Sequence, residues 1–280
     1  MWSIGIYTGD SPLQLHAPPN GRNPVLTCDA VSDLPAKFVA DPFLVRGDGV
    51  WYMFFEVLNR QNDKGEIGLA VSENCSDWRY QQRVLIEPFH LSYPQVFHWR
   101  GDYFMIPESL KAGAVRLYRA NDFPTRWSSV GPLLQGEWAD PTVFRFAQKW
   151  WMFACAPAYQ HDTLWLFFAD DVRGPWHKHP ASPIVAGDKH CARPAGRVLV
   201  FENRIIRFAQ DCMLRYGSQV RAFEISELTT TTYAEREHAN SPVLTASGNG
   251  WNALGMHHVD PNRMPDGSWI AAVDGFSDSI

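Results

Sequence analysis

Residues 138–144 read WADPTVF, and residues 39–45 read VADPFLV. Asp-Pro opens turns readily, so two copies alone prove little. Three further prolines give the pair its meaning. Aligned on proline, the chain repeats at Pro42 (ADPFLVRGDGVWYMFFE), Pro94 (SYPQVFHWRGDYFMIPE), Pro141 (ADPTVFRFAQKWWMFAC), Pro194 (ARPAGRVLVFENRIIRFAQD) and Pro261 (VDPNRMPDGSWIAAVD). Each proline starts an apolar strand, a turn follows, and a second apolar strand returns. Third strands follow as EIGLAVS, VRLYRA, LWLFFAD and VRAFEIS, and a fourth segment runs from an aromatic residue to a short apolar close, as in WRYQQRVLIEP. Four strands recurring about every 50 residues are the signature of β-propeller blades.

The fifth unit stops after its second strand, in WIAAVDGFSDSI. The missing strands stand at the other terminus, where WSIGIYTG fits the third-strand pattern and LQLHAPPNGRNPVLT the fourth. The reading is therefore all-β: one five-bladed β-propeller over residues 1–280, with 1–38 closing the fifth blade and blades beginning near 39, 91, 138, 191 and 256. Such closure leaves no long unprotected sheet edge.

Composition agrees with a soluble globular protein: 45% of residues are hydrophobic, 20% charged and 14% aromatic. The aromatic residues cluster in strand-like runs such as WYMFFE and KWWMFA. A formal net charge of -5, with lysine and arginine scattered, does not indicate a long phosphate-binding surface, so no nucleic-acid partner is expected. No run approaches the roughly 18 apolar residues of a membrane span, and MWSIGIYTGD lacks the basic start and apolar centre of a signal peptide. Cytoplasmic localisation is the expectation. Five cysteines, odd in number and without a C-x-x-C, read as reduced thiols rather than a disulfide framework or a zinc ribbon.

In a propeller the first strand of each blade borders the central channel, so the residues before the aligned prolines should converge there: Asp41, Tyr93, Asp140, Arg193 and Asp260. A second ring is expected at the ends of the second strands. Glu56, Glu108 and Cys155 lie equally far past their prolines, Asp274 falls one residue short of that distance and Asp211 three beyond it. Carboxylates seldom follow apolar strands into a core without a partner, so their recurrence points to a polar channel mouth.

Asp41 and Asp140 fit either of two roles. They accept backbone N–H bonds at the strand starts, or they form an acid and base pair at a glycosidic bond, where one group protonates the leaving oxygen and another activates water or attacks carbon. Arg193 departs from the acidic pattern; it reads as an ion pair to Asp140 or Asp260, or as a fork for a substrate carboxylate or phosphate. GMHHVDP offers His257, His258 and Asp260, but neighbours on a strand point to opposite faces, so no metal is expected and one histidine should meet substrate while the other packs. HKHP (His177, His179) falls on an outer strand and reads as an exposed edge. Tyr93, Trp138 and Trp251 are candidates for stacking on a sugar.

These motifs resemble the five-bladed propeller superfamily of arabinanases, β-xylosidases, levansucrases and invertases. FVADPFLV, HLSYPQVF, MIPES, RPAGRV, RFAQD and MHHVDP together are more specifically similar to the propeller region at the N-terminus of plant glucosamine inositolphosphorylceramide transferases and its bacterial relatives, over nearly the whole chain. The superfamily resemblance implies Asp41 as base or nucleophile and Asp140 as the carboxylate that tunes the acid and orients substrate. Its usual general acid, a glutamate where the fourth blade begins, is Arg193 here, so the resemblance leaves Glu108 first and Asp260 second as replacement acids, or hydrolysis lost. In the transferase relatives it places the transfer chemistry in another domain of a longer chain.

The expected function is carbohydrate-active, a glycoside hydrolase with Asp41, Asp140 and Glu108 catalytic. Glu56, Tyr93, Arg193, Asp211, His257, His258, Asp260 and Asp274 should bind a carbohydrate or glycolipid head group, without a cofactor. The alternatives are a non-catalytic carbohydrate-binding domain of glycan or glycolipid assembly, and glycosyl transfer or phosphorolysis in the same pocket.

Overall fold

The computed structural model describes residues 1–19 and 21–278. Five antiparallel sheets are arranged in a ring, each starting at the axis and running outward. Blade one comprises Ala36–Gly47, Val50–Asn59, Lys64–Ser72 and Arg79–Leu85; blade two, Ser92–Trp99, Asp102–Glu108, Ala114–Asp122 and Arg126–Gln135. Blade three has Ala139–Phe146, Lys149–Cys155 and Thr163–Ala169, with its outer strand split into His177–Lys178 and Val185–Ala186. In blade four the inner strand is also split, into Arg193–Pro194 and Leu199–Phe201, followed by Arg204–Asp211, Gln219–Leu228, Tyr233–Glu237 and Leu244–Thr245. Blade five joins Val259–Arg263 and Trp269–Phe276 to the N-terminal strands Trp2–Ser11 and Gln14–His16, with Ile4 opposite Asp274. The ring thus closes through both termini. No helix among the described residues is long and apolar enough to cross a membrane.

Alternation of side chains along each strand divides the core into one cluster per blade interface. Met53, Phe55 and Val57 turn one way, onto Ile4, Ile270 and Ala272 of blade five, while Phe54 between them turns the other way, onto Met105 and Tyr118 of blade two. The pattern recurs around the ring: Phe104 and Ile106 meet Val143 and Met152, Trp151 and Phe153 meet Ile205 and Ile225, and Ile206 and Phe208 meet Val259 and Val273. Each such fully buried side chain contributes about 1.5–3 kcal/mol, so blade contacts, rather than isolated sheets, hold the fold.

The Asp-Pro repeat is a β-bulge. Ala40 faces Glu56 and Phe43 faces Phe54, so Asp41 and Pro42 together oppose Phe55 alone. The same shift brackets Tyr93-Pro94 and Asp140-Pro141. The bulged residues take left-handed backbone, with φ 54° at Asp41, 48° at Tyr93 and 48° at Asp140. Aspartate tolerates that region better than tyrosine, whose strain is offset by its bonds. The Tyr93 hydroxyl pairs with Thr142 Oγ1 at 2.8 Å and accepts the Gly196 N–H at 2.6 Å.

Blade five corrects one sequence expectation. Val259 faces Val273 and Asp260 faces Ala272 without a bulge, so Asp260 is not level with Asp41. It stands level with Gln95, one layer deeper. The bonding agrees: Asp260 accepts the Leu44 N–H of blade one at 2.6 Å, as Gln95 accepts the Val143 N–H of blade three at 2.7 Å. Arg197 Nε completes the Asp260 site at 2.8 Å. Asp260 is therefore an inter-blade fastening rather than a pocket residue. Asp260→Asn keeps an acceptor for Leu44 but loses the charge facing Arg197; urea denaturation should show about 1–3 kcal/mol of lost stability. A change within 0.5 kcal/mol of zero, the range of an ordinary surface substitution, would contradict this role.

Candidate functional site

The bulges aim Asp41 and Asp140 into the channel mouth, where Glu56, Glu108, Arg193 and His257 join them. Asp41 Oδ2 accepts the Tyr93 N–H at 3.2 Å, and its Oδ1 lies 3.5 Å from His257 Nε2. His257 Nδ1 pairs with Asp274 Oδ1 at 2.8 Å, and Asp274 Oδ2 accepts the Asp41 N–H at 3.1 Å, so three residues form a closed unit. Trp2 stacks on the His257 ring at 3.9 Å.

Burial pushes the Asp41 carboxyl up to about 7, with Asp274 and Asp140 adding to the rise and His257 opposing it. His257 is shifted the other way to what burial favours, because the carboxylates of Asp274 and Asp41 hold its proton. Asp274 is likewise held below the ordinary carboxylate range against the effect of burial, by His257 and by backbone N–H donors. His258 is fully buried: its Nε2 donates to Pro42 O at 3.0 Å, its Nδ1 has no hydrogen-bond partner, and burial pushes its pKa down to about 4. Ligand atoms of Asp41, His257 and Asp274 lie within 4.8 Å of one another, the spacing of a cation site, but His257 and Asp274 already bond each other.

On the opposite wall Arg193 Nε donates to Asp140 Oδ2 at 2.6 Å, and Nη2 reaches Asp140 Oδ1 at 3.3 Å and Glu108 Oε2 at 3.4 Å. Nη1 donates to Ala158 O at 3.1 Å and to His161 Nδ1 at 2.9 Å. Every nitrogen of Arg193 is therefore engaged, as an ion pair to Asp140 requires, and no fork is left open for a substrate anion. Burial holds Asp140 at about 7 against the pull of Arg193. Burial and the guanidinium together push His161 down to about 4.

Glu108 lies in the cluster, but its Oε2 accepts the Asp140 N–H at 3.0 Å as well as facing Arg193. Both partners are donors, so that oxygen is committed as an acceptor. Asp211 is not brought into the cluster. Its carboxylate is bonded by His190, Gln219, Arg221 and the Met213 N–H, and although burial opposes it these donors draw its pKa down to about 2. Blade four carries extra residues within its split inner strand, between Pro194 and Leu199, and Gln210 takes the inward position, donating to Asp140 Oδ2 at 2.9 Å.

The expected stacking platforms are elsewhere as well. Tyr93 is fully buried, Trp138 packs on Trp165 and Phe167 in the outer blade, and Trp251 packs over Gly5 and Gly275. Tyr216 is an aromatic at the mouth that the motifs did not single out: it is 40% exposed and its ring centroid lies 5.1 Å from the Arg193 guanidinium. Its loop has no periodicity to betray it. His179 corrects the exposed-edge expectation, because it is fully buried with Nε2 bonded to Thr229 O at 2.8 Å, while His177 is exposed. The five cysteines are free thiols. From the cluster a groove of about 750 Å³ runs outward between Phe89, His90, Lys111 and Tyr159, with Glu108 and Arg193 in its lining.

Solved structures similar to this chain include glycoside hydrolases. The catalytic domain of a family 62 α-L-arabinofuranosidase from Coprinopsis cinerea is 10% identical with a TM-score of 0.62, covering 96% of each chain. A family 117 glycoside hydrolase from Zobellia galactanivorans is 16% identical with a TM-score of 0.55, covering 86% of each. At such identities the likeness concerns the fold. In sequence, glucosamine inositolphosphorylceramide transferase 1 of Oryza sativa subsp. japonica is 35% identical over 98% of this chain, and that of Arabidopsis thaliana 34%. The chain spans 40% of the length of the rice protein and 39% of the Arabidopsis one. Residues 1–276 match the family described as glucosamine inositolphosphorylceramide transferase 1, N-terminal, and the chain belongs to that family.

Proposed function

We propose that the channel mouth binds a carbohydrate or glycolipid head group and hydrolyses a glycosidic bond. The observation that carries this reading is Asp41: a buried carboxyl, fixed by a left-handed bulge, held near neutrality and paired only loosely with His257. Asp140 is also held at about 7 but is tied down by Arg193 and Gln210, whereas Asp41, poised at about 7 without such short side-chain bonds, suits proton transfer at neutral pH. Asp41 then takes the proton of water or attacks the anomeric carbon. Asp140, Gln210 and Arg193 form a rigid wall that orients the sugar, and Tyr216 offers an aromatic face. The shared fold with glycoside hydrolases supports carbohydrate chemistry, and the transferase family supports a glycolipid head group as the source of the sugar.

The basic form of Asp41 is the active one, so turnover should rise as pH rises through about 7, not near the ordinary 4. A pH–rate profile on a cleaved glycoside tests this; an acid limb centred near pH 4 would remove Asp41 as the base. Arg193 favours a second reading. A guanidinium that ties down Asp140 and Glu108 stands where the hydrolases keep an acid, which suits a domain that recognises the head group for a longer transferase chain. Binding of saccharides without release of product would select it.

A further inference from the structure

The three second strands whose terminal carboxylate joins the mouth cluster, those of blades five, two and one, follow a rule with one exception. Asp274 of blade five accepts the N–H of Asp41 in blade one, and Glu108 of blade two accepts the N–H of Asp140 in blade three. Glu56 of blade one should by the same rule accept the N–H of Tyr93 in blade two. That N–H donates to Asp41 instead. Displaced from the structural post, Glu56 is 6% exposed, and its Oε1 lies 3.3 Å from His90 Nε2. Room for this pair exists because residue 65 is glycine: a Cβ there would lie 2.8 Å from Glu56 Oε1 and 2.8 Å from His90 Cε1. His90 Nδ1 accepts the Gly65 N–H at 2.9 Å, so the neutral ring carries its hydrogen on Nε2, toward Glu56. His90 also lines the groove that leads to the cluster.

We infer that Glu56, not Glu108, is the proton donor of the hydrolytic site, because it alone among the mouth glutamates is released from capping the next blade. This rests on the hydrolytic reading of Asp41. Burial, with Asp41, Glu108 and Asp140 nearby, pushes Glu56 well above the usual carboxyl range and so favours the protonated acid. In the step, the carboxyl proton of Glu56 passes to the glycosidic oxygen as the bond from the anomeric carbon breaks, the electron pair staying on that oxygen. Water adds to the anomeric carbon and gives its proton to Asp41. Solvent then returns a proton to Glu56 and removes one from Asp41.

The test compares wild type, Glu56→Gln and Glu108→Gln on paired methyl and 4-nitrophenyl glycosides of furanoses and pyranoses. Methoxide leaves only when protonated, whereas 4-nitrophenolate leaves unaided. Glu56→Gln should lower kcat on methyl glycosides by roughly 10²–10⁴-fold and spare the nitrophenyl series, while Glu108→Gln lowers both alike. Leaving-group selectivity in Glu108→Gln and none in Glu56→Gln would overturn the assignment. If the wild type cleaves neither series, the hydrolytic reading fails, and the donor role with it. Infrared difference spectra of wild type against Glu56→Gln at pH 7 report separately on the residue. Loss of a protonated-carboxyl band supports Glu56 as a poised acid whatever the substrate, and loss of a carboxylate band instead overturns it.

Discussion

Arg193→Met should cost about 3–5 kcal/mol of stability, the penalty for stripping a buried charge pair of one partner. Methionine fills much of the space, so the loss is electrostatic: Asp140 and Glu108 keep their burial and lose the guanidinium between them. The deficit should also depend on pH. Asp140 already sits near 7, above its unfolded value, and removing Arg193 removes the main influence that draws it down. A carboxyl with a raised folded pKa is least costly at low pH, where it is neutral in both states, and most costly once pH passes its folded value. Urea denaturation should therefore show a larger deficit at pH 8 than at pH 5. A deficit that is equal at both pH values, or that is confined to the few tenths of a surface substitution, would mean the network does not hold the mouth together.

Asp41→Asn should abolish turnover, by on the order of 10²–10⁴-fold, while leaving saccharide binding intact. The amide oxygen can still accept the Tyr93 N–H, so the bulge and the blade contact survive; only the base is removed. Full activity in Asp41→Asn, on a substrate the wild type cleaves, would refute the assignment. Lost binding together with lost turnover would instead assign Asp41 to sugar recognition.

The fold was legible because a propeller writes its period into the chain: five prolines, each before an apolar strand, and a fifth unit completed by WSIGIYTG from the other end. The bulges at Asp41, Tyr93 and Asp140 were legible as the same repeat. Proline alignment misled where blades four and five depart from that register. Asp274 fell one residue short of the common spacing because blade five has no bulge, and that deficit already separates Asp260 from Asp41. Blade four has extra residues between Pro194 and Leu199, so Gln210 rather than Asp211 faces Asp140. Tyr216, His161 and His90 lie outside the periodic strands, in connecting segments whose positions depend on the tertiary fold. The release of Glu56 was invisible as well, since it depends on which carboxylate of a neighbouring blade reaches Tyr93 first.

The most direct test of the central claim is to incubate the protein with oligosaccharides and glycolipid head groups in water labelled with heavy oxygen, and to analyse the released sugars by mass spectrometry. Hydrolysis in this pocket predicts one labelled oxygen at the new reducing end, present with wild type and absent with Asp41→Asn. Saccharides bound by both proteins and released by neither would contradict it, and would leave the domain a reader of head groups rather than a cutter of glycosidic bonds.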